Sequence, residues 1–158
     1  MRTLCGALLW SLFLLLALVL HGRAEQKRLA EYKALCHLVA HIKSTLLQAP
    51  VPLPTVYAEF SDGALEGSTF LSVLRERGLS SALREGGLSL DGDDLTPFLE
   101  YAEALGRRLY TEELAAADAL LARVTSLLSQ KEAALPVRRR LTGTLFFSGG
   151  MLLLLLLL

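Results

Sequence analysis

The sequence predicts an all-α protein in which N- and C-terminal transmembrane helices flank a cytoplasmic helical bundle. Two segments, Thr3–Leu20 and Leu141–Leu158, hold no charged residue, although the chain carries 16 Lys and Arg and 16 Asp and Glu. Between them apolar residues recur at steps of three and four, the period of a helix with one buried side. No stretch competes with the alternation of a half-buried strand.

At 158 residues the chain has room for one compact domain, and its 53% apolar composition and mean hydropathy of +0.44 exceed those of an ordinary soluble one. The surplus lies in the two uncharged ends. Eighteen helical residues rise about 27 Å against a hydrocarbon layer of roughly 30 Å, a mismatch that slight thinning absorbs. The expected organisation is a first span over residues 1–22, a bundle over 23–137, and a basic anchor with the second span over 138–158. A competing reading of the first segment is a cleavable secretory signal, with Arg2, an apolar stretch and Gly22-Arg23-Ala24 before Glu25. The length of the stretch and the crowding of Arg23, Lys27 and Arg28 at its exit favour a retained anchor.

Basic residues beside spans stay on the cytoplasmic side of a membrane. Arg23, Lys27, Arg28 and Lys33 follow the first segment, and Arg123, Lys131, Arg138, Arg139 and Arg140 precede the second. Both termini are therefore expected outside and the centre in the cytoplasm. Arg138, Arg139 and Arg140 serve as a topological anchor that also suits anionic headgroups, at about 1 kcal/mol each. Cys5 lies in the first span and Cys36 in reducing cytoplasm, so no disulfide is expected.

Each element follows in order. Leu29, Tyr32, Cys36, Val39, Lys43 and Leu46 line one side of a helix that continues from the first span and stops near Pro50, Pro52 and Pro54. Short helices are expected over Thr55–Phe60, Ser68–Arg77 and Ser80–Glu85, with breaks at Gly63, Gly67, Gly78, Gly86 and Gly87. Leu88 to Asp94 reads as a polar connector, and Thr96-Pro97 as the next helix start, with Phe98, Tyr101, Ala102, Leu105 and Leu109 inward. A last helix starts at Thr111, where Glu112 and Glu113 suit the positive end of the helix dipole. Leu114, Ala117, Leu121, Val124 and Leu128 form its apolar side, and Pro136 is expected to kink or end it. The two long helices, about 35 and 36 Å over Glu25–Leu47 and Glu112–Leu135, are expected to run antiparallel as a stalk.

Chemistry is sparse. There is no phosphate-cradling GxxxxGK[ST], dinucleotide GxGxxG or CxxC pair. His37 and His41 share a helical face, but Leu38 stands where a zinc protease needs its glutamate, and no further ligands accompany them. Asp91, Asp93 and Asp94 lack the closing glutamate of a calcium loop. No catalytic, cofactor or metal residue is assigned, and no small-molecule substrate is implied. From Ser44 to Gly106 there are ten acidic residues against Arg75, Arg77 and Arg84, a balance that disfavours nucleic acid and suits a basic protein partner. Thr144 and Ser148 have the spacing of a small-residue helix contact in a membrane.

Pro52-Leu53-Pro54, the run Phe98 to Gly106 before a long helix, and Arg138-Arg-Arg-Leu-Thr-Gly143 followed by Gly149-Gly150 and a leucine run give the chain a pattern that resembles the stage III sporulation protein AB family. The likeness covers nearly the whole chain, and its motifs are loose. It implies a non-enzymatic component of the secretion-like complex that endospore formers assemble between mother cell and forespore, placed in the mother-cell membrane. The helical domain would be similar to the type II secretion inner-membrane platform protein, with a cytoplasmic secretion-type ATPase and other sporulation proteins as partners. The leucine tail and Pro136 depart from that family. The alternative is a small stand-alone membrane protein, sensor or holin-like, or a signal-peptide-bearing tail-anchored protein; a central segment of this size leans against a holin.

Overall fold

The structure, a computed structural model, describes the backbone of residues 2–48 and 51–157 and the side chains of residues 16, 17, 19–48 and 51–133. Six helices occur among the described residues, with no strand: α1 (Arg2–Gln48), α2 (Leu53–Glu59), α3 (Phe70–Arg77), α4 (Leu79–Glu85), α5 (Gly92–Ala104) and α6 (Tyr110–Leu157). The all-α class is thus met. Among the described residues no helix is long and apolar enough to cross a membrane. The side chains of the expected spans, 3–20 and 141–158, fall outside those described, apart from Leu16, Ala17, Val19 and Leu20.

The chain divides into two compact units. One comprises Met1–Gln26 and Ser129–Leu158, and the other Lys27–Leu128. In the first, Leu16, Val19 and Leu20 are exposed and His21 lies 3.8 Å from Glu25 one turn on.

In the second, α1 and α6 run antiparallel. The Tyr110 hydroxyl at the start of α6 donates to the Leu46 carbonyl at the end of α1 (2.8 Å), and Lys43 pairs with Asp118. The short helices cover what this pair leaves apolar. Tyr32, Leu35, Leu38 and Ile42 of α1, Phe70 and Leu74 of α3, Phe98 of α5 and Val124 of α6 meet in one core. Full burial of such a side chain contributes about 1.5–3 kcal/mol, most of it offset by chain entropy.

Local chemistry sets the turns. Pro52 supplies the carbonyl that accepts the Thr55 amide at 3.0 Å, and Pro54, at the start of α2, needs no donor there. Asp62 accepts the Ala64 amide (3.0 Å) and Ser68 the Phe70 amide (3.3 Å), so the loop into α3 is held by its own side chains. At Gly78, φ 83° and ψ 177° let α4 begin one residue after α3 ends. That conformation is essentially closed to residues with a Cβ.

Four sequence expectations are corrected. Helix α6 continues through Pro136 to Leu157. A proline removes one donor and crowds one carbonyl, a local cost of about 3 kcal/mol that a helix of 48 residues carries. Helix α5 starts at Gly92, not Thr96, because the Asp91 carbonyl accepts the amides of Asp94 and Leu95 while Asp93 and Asp94 sit in the first turn. The Thr96 hydroxyl turns back to the Gly92 carbonyl (2.9 Å) and caps nothing. On α1 Tyr32 and Val39 of the expected stripe are buried, but so are Leu35, Leu38 and Ile42 beside it, while Cys36 and Leu46 are only half-buried, since neighbours cover more than one side of the helix. On α6 Ala117 and Val124 are buried as expected, with Leu120 beside them, but Leu109, expected inward after α5, is 71% exposed. Burial lifts the Cys36 thiol to about 11, so it stays protonated and packs as a small hydrophobe.

Candidate docking surface

The residues expected to flank the membrane divide into three sets. Arg23 is exposed on α1. Lys27 lies 3.6 Å from Glu31 one turn on, and Arg28 donates to Asp91 at 2.9 Å, joining α1 to the residue before α5. Both cations are thus engaged within the helical unit. The side chains of Arg138, Arg139 and Arg140 lie outside those described. His37 meets Asp62 at 3.3 Å and His41 packs at a tilt on Phe60, so the histidines hold the loop after α2. Among the described residues no three His, Cys, Asp or Glu side chains are grouped to hold a metal ion.

Sequence reasoning missed two buried carboxylates. Glu31, 1% exposed, accepts the Ser89 amide at 2.6 Å and so fixes the connector between α4 and α5. Glu113 is buried in the first turn of α6 and reaches the Gly106 amide at 3.4 Å. Among the described residues the buried Tyr101 hydroxyl and Glu113 Oε1 have no hydrogen-bond partner. The only advance signal was the placement of Glu113 in a first turn. For Glu31 there was none, because a Lys27–Glu31 pair one turn apart looks like ordinary helix surface.

Burial pushes Tyr32 and Tyr57 up to about 12 and Tyr101 higher still, with Glu113 adding to the rise at Tyr57 and Tyr101. An unfolded tyrosine ionises near 10. The folded unit therefore holds these protons while the unfolded chain sheds them, and stability present below pH 10 is lost as pH rises towards 12. Tyrosinate absorbance during alkaline titration is expected to show three tyrosines ionising together with loss of tertiary structure; ionisation of all tyrosines near pH 10 in a folded chain would contradict the burial.

Two surfaces remain uncommitted to internal structure. Where α1 ends and α6 begins, Leu47, Leu109 and Tyr110 are exposed beside Arg107 and Arg108. Outside the first apolar segment these three are the exposed large apolar residues among those described. A groove of about 330 Å³ continues from this corner between α5 and α6, floored by Pro97, Tyr101, Ala116 and Leu120 and rimmed by Arg108 and Arg123. The second surface is mainly acidic: Glu59 ends α2, Glu66 lies in the following loop and Glu76 is on α3, all exposed, and the exposed Arg75 among them donates to the Phe60 carbonyl at 3.3 Å. Among the described residues none of these three forms an ion pair, whereas Glu85, Asp91, Glu100 and Glu103 are paired with arginines. The arrangement leaves one apolar and basic surface and one mainly acidic surface exposed.

Comparison of the chain with family models, with curated proteins and with solved structures finds no match.

Proposed function

We propose that the chain is a non-enzymatic membrane component of a secretion-like complex of the stage III sporulation AB kind, whose helical unit docks a cytoplasmic secretion-type ATPase. One observation carries the reading. The first and last helices each combine an uncharged apolar end with a segment of the same packed, antiparallel unit: α1 spans Arg2–Gln48 and α6 spans Tyr110–Leu157. Two apolar anchors bracketing one polar lobe suit a scaffold beside a bilayer. The motif residues behind the resemblance also have work in this fold. Pro52 to Pro54 open α2, and the run from Phe98 supplies the inner side of α5 before Gly106 turns the chain at φ 79°.

The test is sidedness followed by capture. A cysteine at exposed Asp93, in a chain whose own cysteines are replaced, is expected to resist an impermeant maleimide on intact cells and to react once the membrane is opened. The full chain purified in mild detergent is then expected to retain a co-expressed secretion-type ATPase. Labelling of intact cells would overturn the placement, and failure to retain the ATPase would overturn the docking role.

A further inference from the structure

We propose that copies of this chain associate head to tail, the apolar and basic corner of one copy seating on the acidic α2–α3 surface of the next. The corner is built to be covered. Leu109 is 71% exposed and Leu47 57% exposed, and the Tyr110 ring stands beside them with its hydroxyl fixed to the Leu46 carbonyl. Large side chains fixed outward at one place mark a contact site more often than scattered single ones do. Tyrosine and arginine at the centre of such a patch are the residue types that carry binding energy.

Charge decides what covers it. Arg107 and Arg108 are exposed, and among the described residues neither has an ion pair. The exposed carboxylate nearby, Glu112, is turned back to accept the Leu109 amide at 3.3 Å. Arg123 at the groove rim is drawn towards Glu100, 3.9 Å away. A symmetric contact of this corner with itself would oppose Arg107 and Arg108 to their own copies, which is unfavourable. The complementary surface exists on the same chain. Glu59, Glu66 and Glu76 sit on the α2–α3 side, which meets α1 at His37 and His41, whereas α6 meets α1 at Lys43 and Leu46. One copy therefore presents both halves of a heterologous contact, each left free when the other is used, and the contact propagates into a ring or an array. This inference does not depend on the ATPase-docking role.

Charge reversal tests it on the full chain in detergent micelles, by energy transfer between donor- and acceptor-tagged copies and by sedimentation. The wild-type chain is expected to associate with rising concentration and to weaken with added salt. R107E/R108E alone and E59K/E66K/E76K alone are each expected to associate at least about tenfold more weakly. An equimolar mixture of the two variants is expected to recover association, because each then meets the opposite charge. Recovery also shows that both variants fold. A wild-type chain that stays monomeric, variants that associate like wild type, or a mixture that fails to recover would each overturn the proposal.

Discussion

Replacing Gly86 with alanine is expected to cost the helical unit about 3 kcal/mol or more, enough to open the α3–α4 pair. Gly86 has φ −72° and ψ 0°, a conformation any residue adopts, so backbone freedom is not the reason. Space is the reason. An added Cβ would lie 2.3 Å from the Ala82 carbonyl oxygen and 2.9 Å from both Cα and Cδ2 of Phe70. Two of those three atoms are backbone and cannot swing aside. Relief requires α3 to move off the end of α4, yet Phe70 begins α3 fully buried and the Gly86 amide is bound to the Ala82 carbonyl at 2.8 Å. The expected result is a lower urea midpoint for the full chain in mild detergent, with faster tryptic cutting at Arg75, Arg77 and Arg84. Gly63→Ala, where nothing lies within 4 Å of the new atom, is the control and is expected to shift stability by no more than about 0.5 kcal/mol. Superimposable unfolding curves for Gly86→Ala and wild type would show that this close approach is absent.

The contrast between Gly86 and the other glycines marks how far the sequence could be read. Proline and glycine punctuation placed α2, α3 and α4 within two residues of where they lie, because turn chemistry is local. That Gly86 is pressed against Phe70 is a contact across 16 positions, and no local rule encodes it. Periodicity located α1 and α6 and put Tyr32, Val39, Ala117 and Val124 inward, where they are buried, but drew the buried stripe too narrow. Leu35, Leu38 and Ile42 lie next to that stripe on α1, and how many adjacent apolar rows a helix buries depends on helices supplied from elsewhere in the chain. Thr96-Pro97 has the composition of a helix start, but a threonine can also sit one turn inside when its hydroxyl donates to the carbonyl four residues back, as Thr96 does to Gly92. The docking surface was half legible. An excess of acid between Ser44 and Gly106 was visible in composition, but its residue was not. Pairing removes Glu85, Asp91, Glu100 and Glu103 with arginines and Asp62 with His37, a subtraction that only tertiary contacts perform, and Glu59, Glu66 and Glu76 are among the carboxylates it leaves. Leu109 was counted inward for its hydropathy, and the turn at Gly106 puts it on the surface.

Phe98→Ala is expected to destabilise the unit by about 3–5 kcal/mol, through lost apolar burial and the cavity that surrounding helices cannot collapse into. Phe98 is 2% exposed and meets the Tyr32 ring edge to face, with centroids 5.4 Å apart and planes at 82°. The pair joins α5 to the middle of α1, so its loss weakens the tie that sets α5 against the core. Tyr32 cannot follow the retreating side chain, since it is itself almost wholly buried on a helix fixed by Glu31 to Ser89 and by Arg28 to Asp91. Phe98→Leu restores most of the volume and is expected to cost under about 1.5 kcal/mol. The quadrupole contribution separates from volume in a double-mutant cycle with Tyr32→Leu, where a coupling of about 0.5–1.5 kcal/mol is expected. Denaturant midpoints at constant slope are the measurement, because a changed slope would report a shift in compactness and not in stability. A Phe98→Ala cost no larger than that of Phe98→Leu would mean that the space between α1 and α5 closes freely, and the aromatic pair would then not be what holds them.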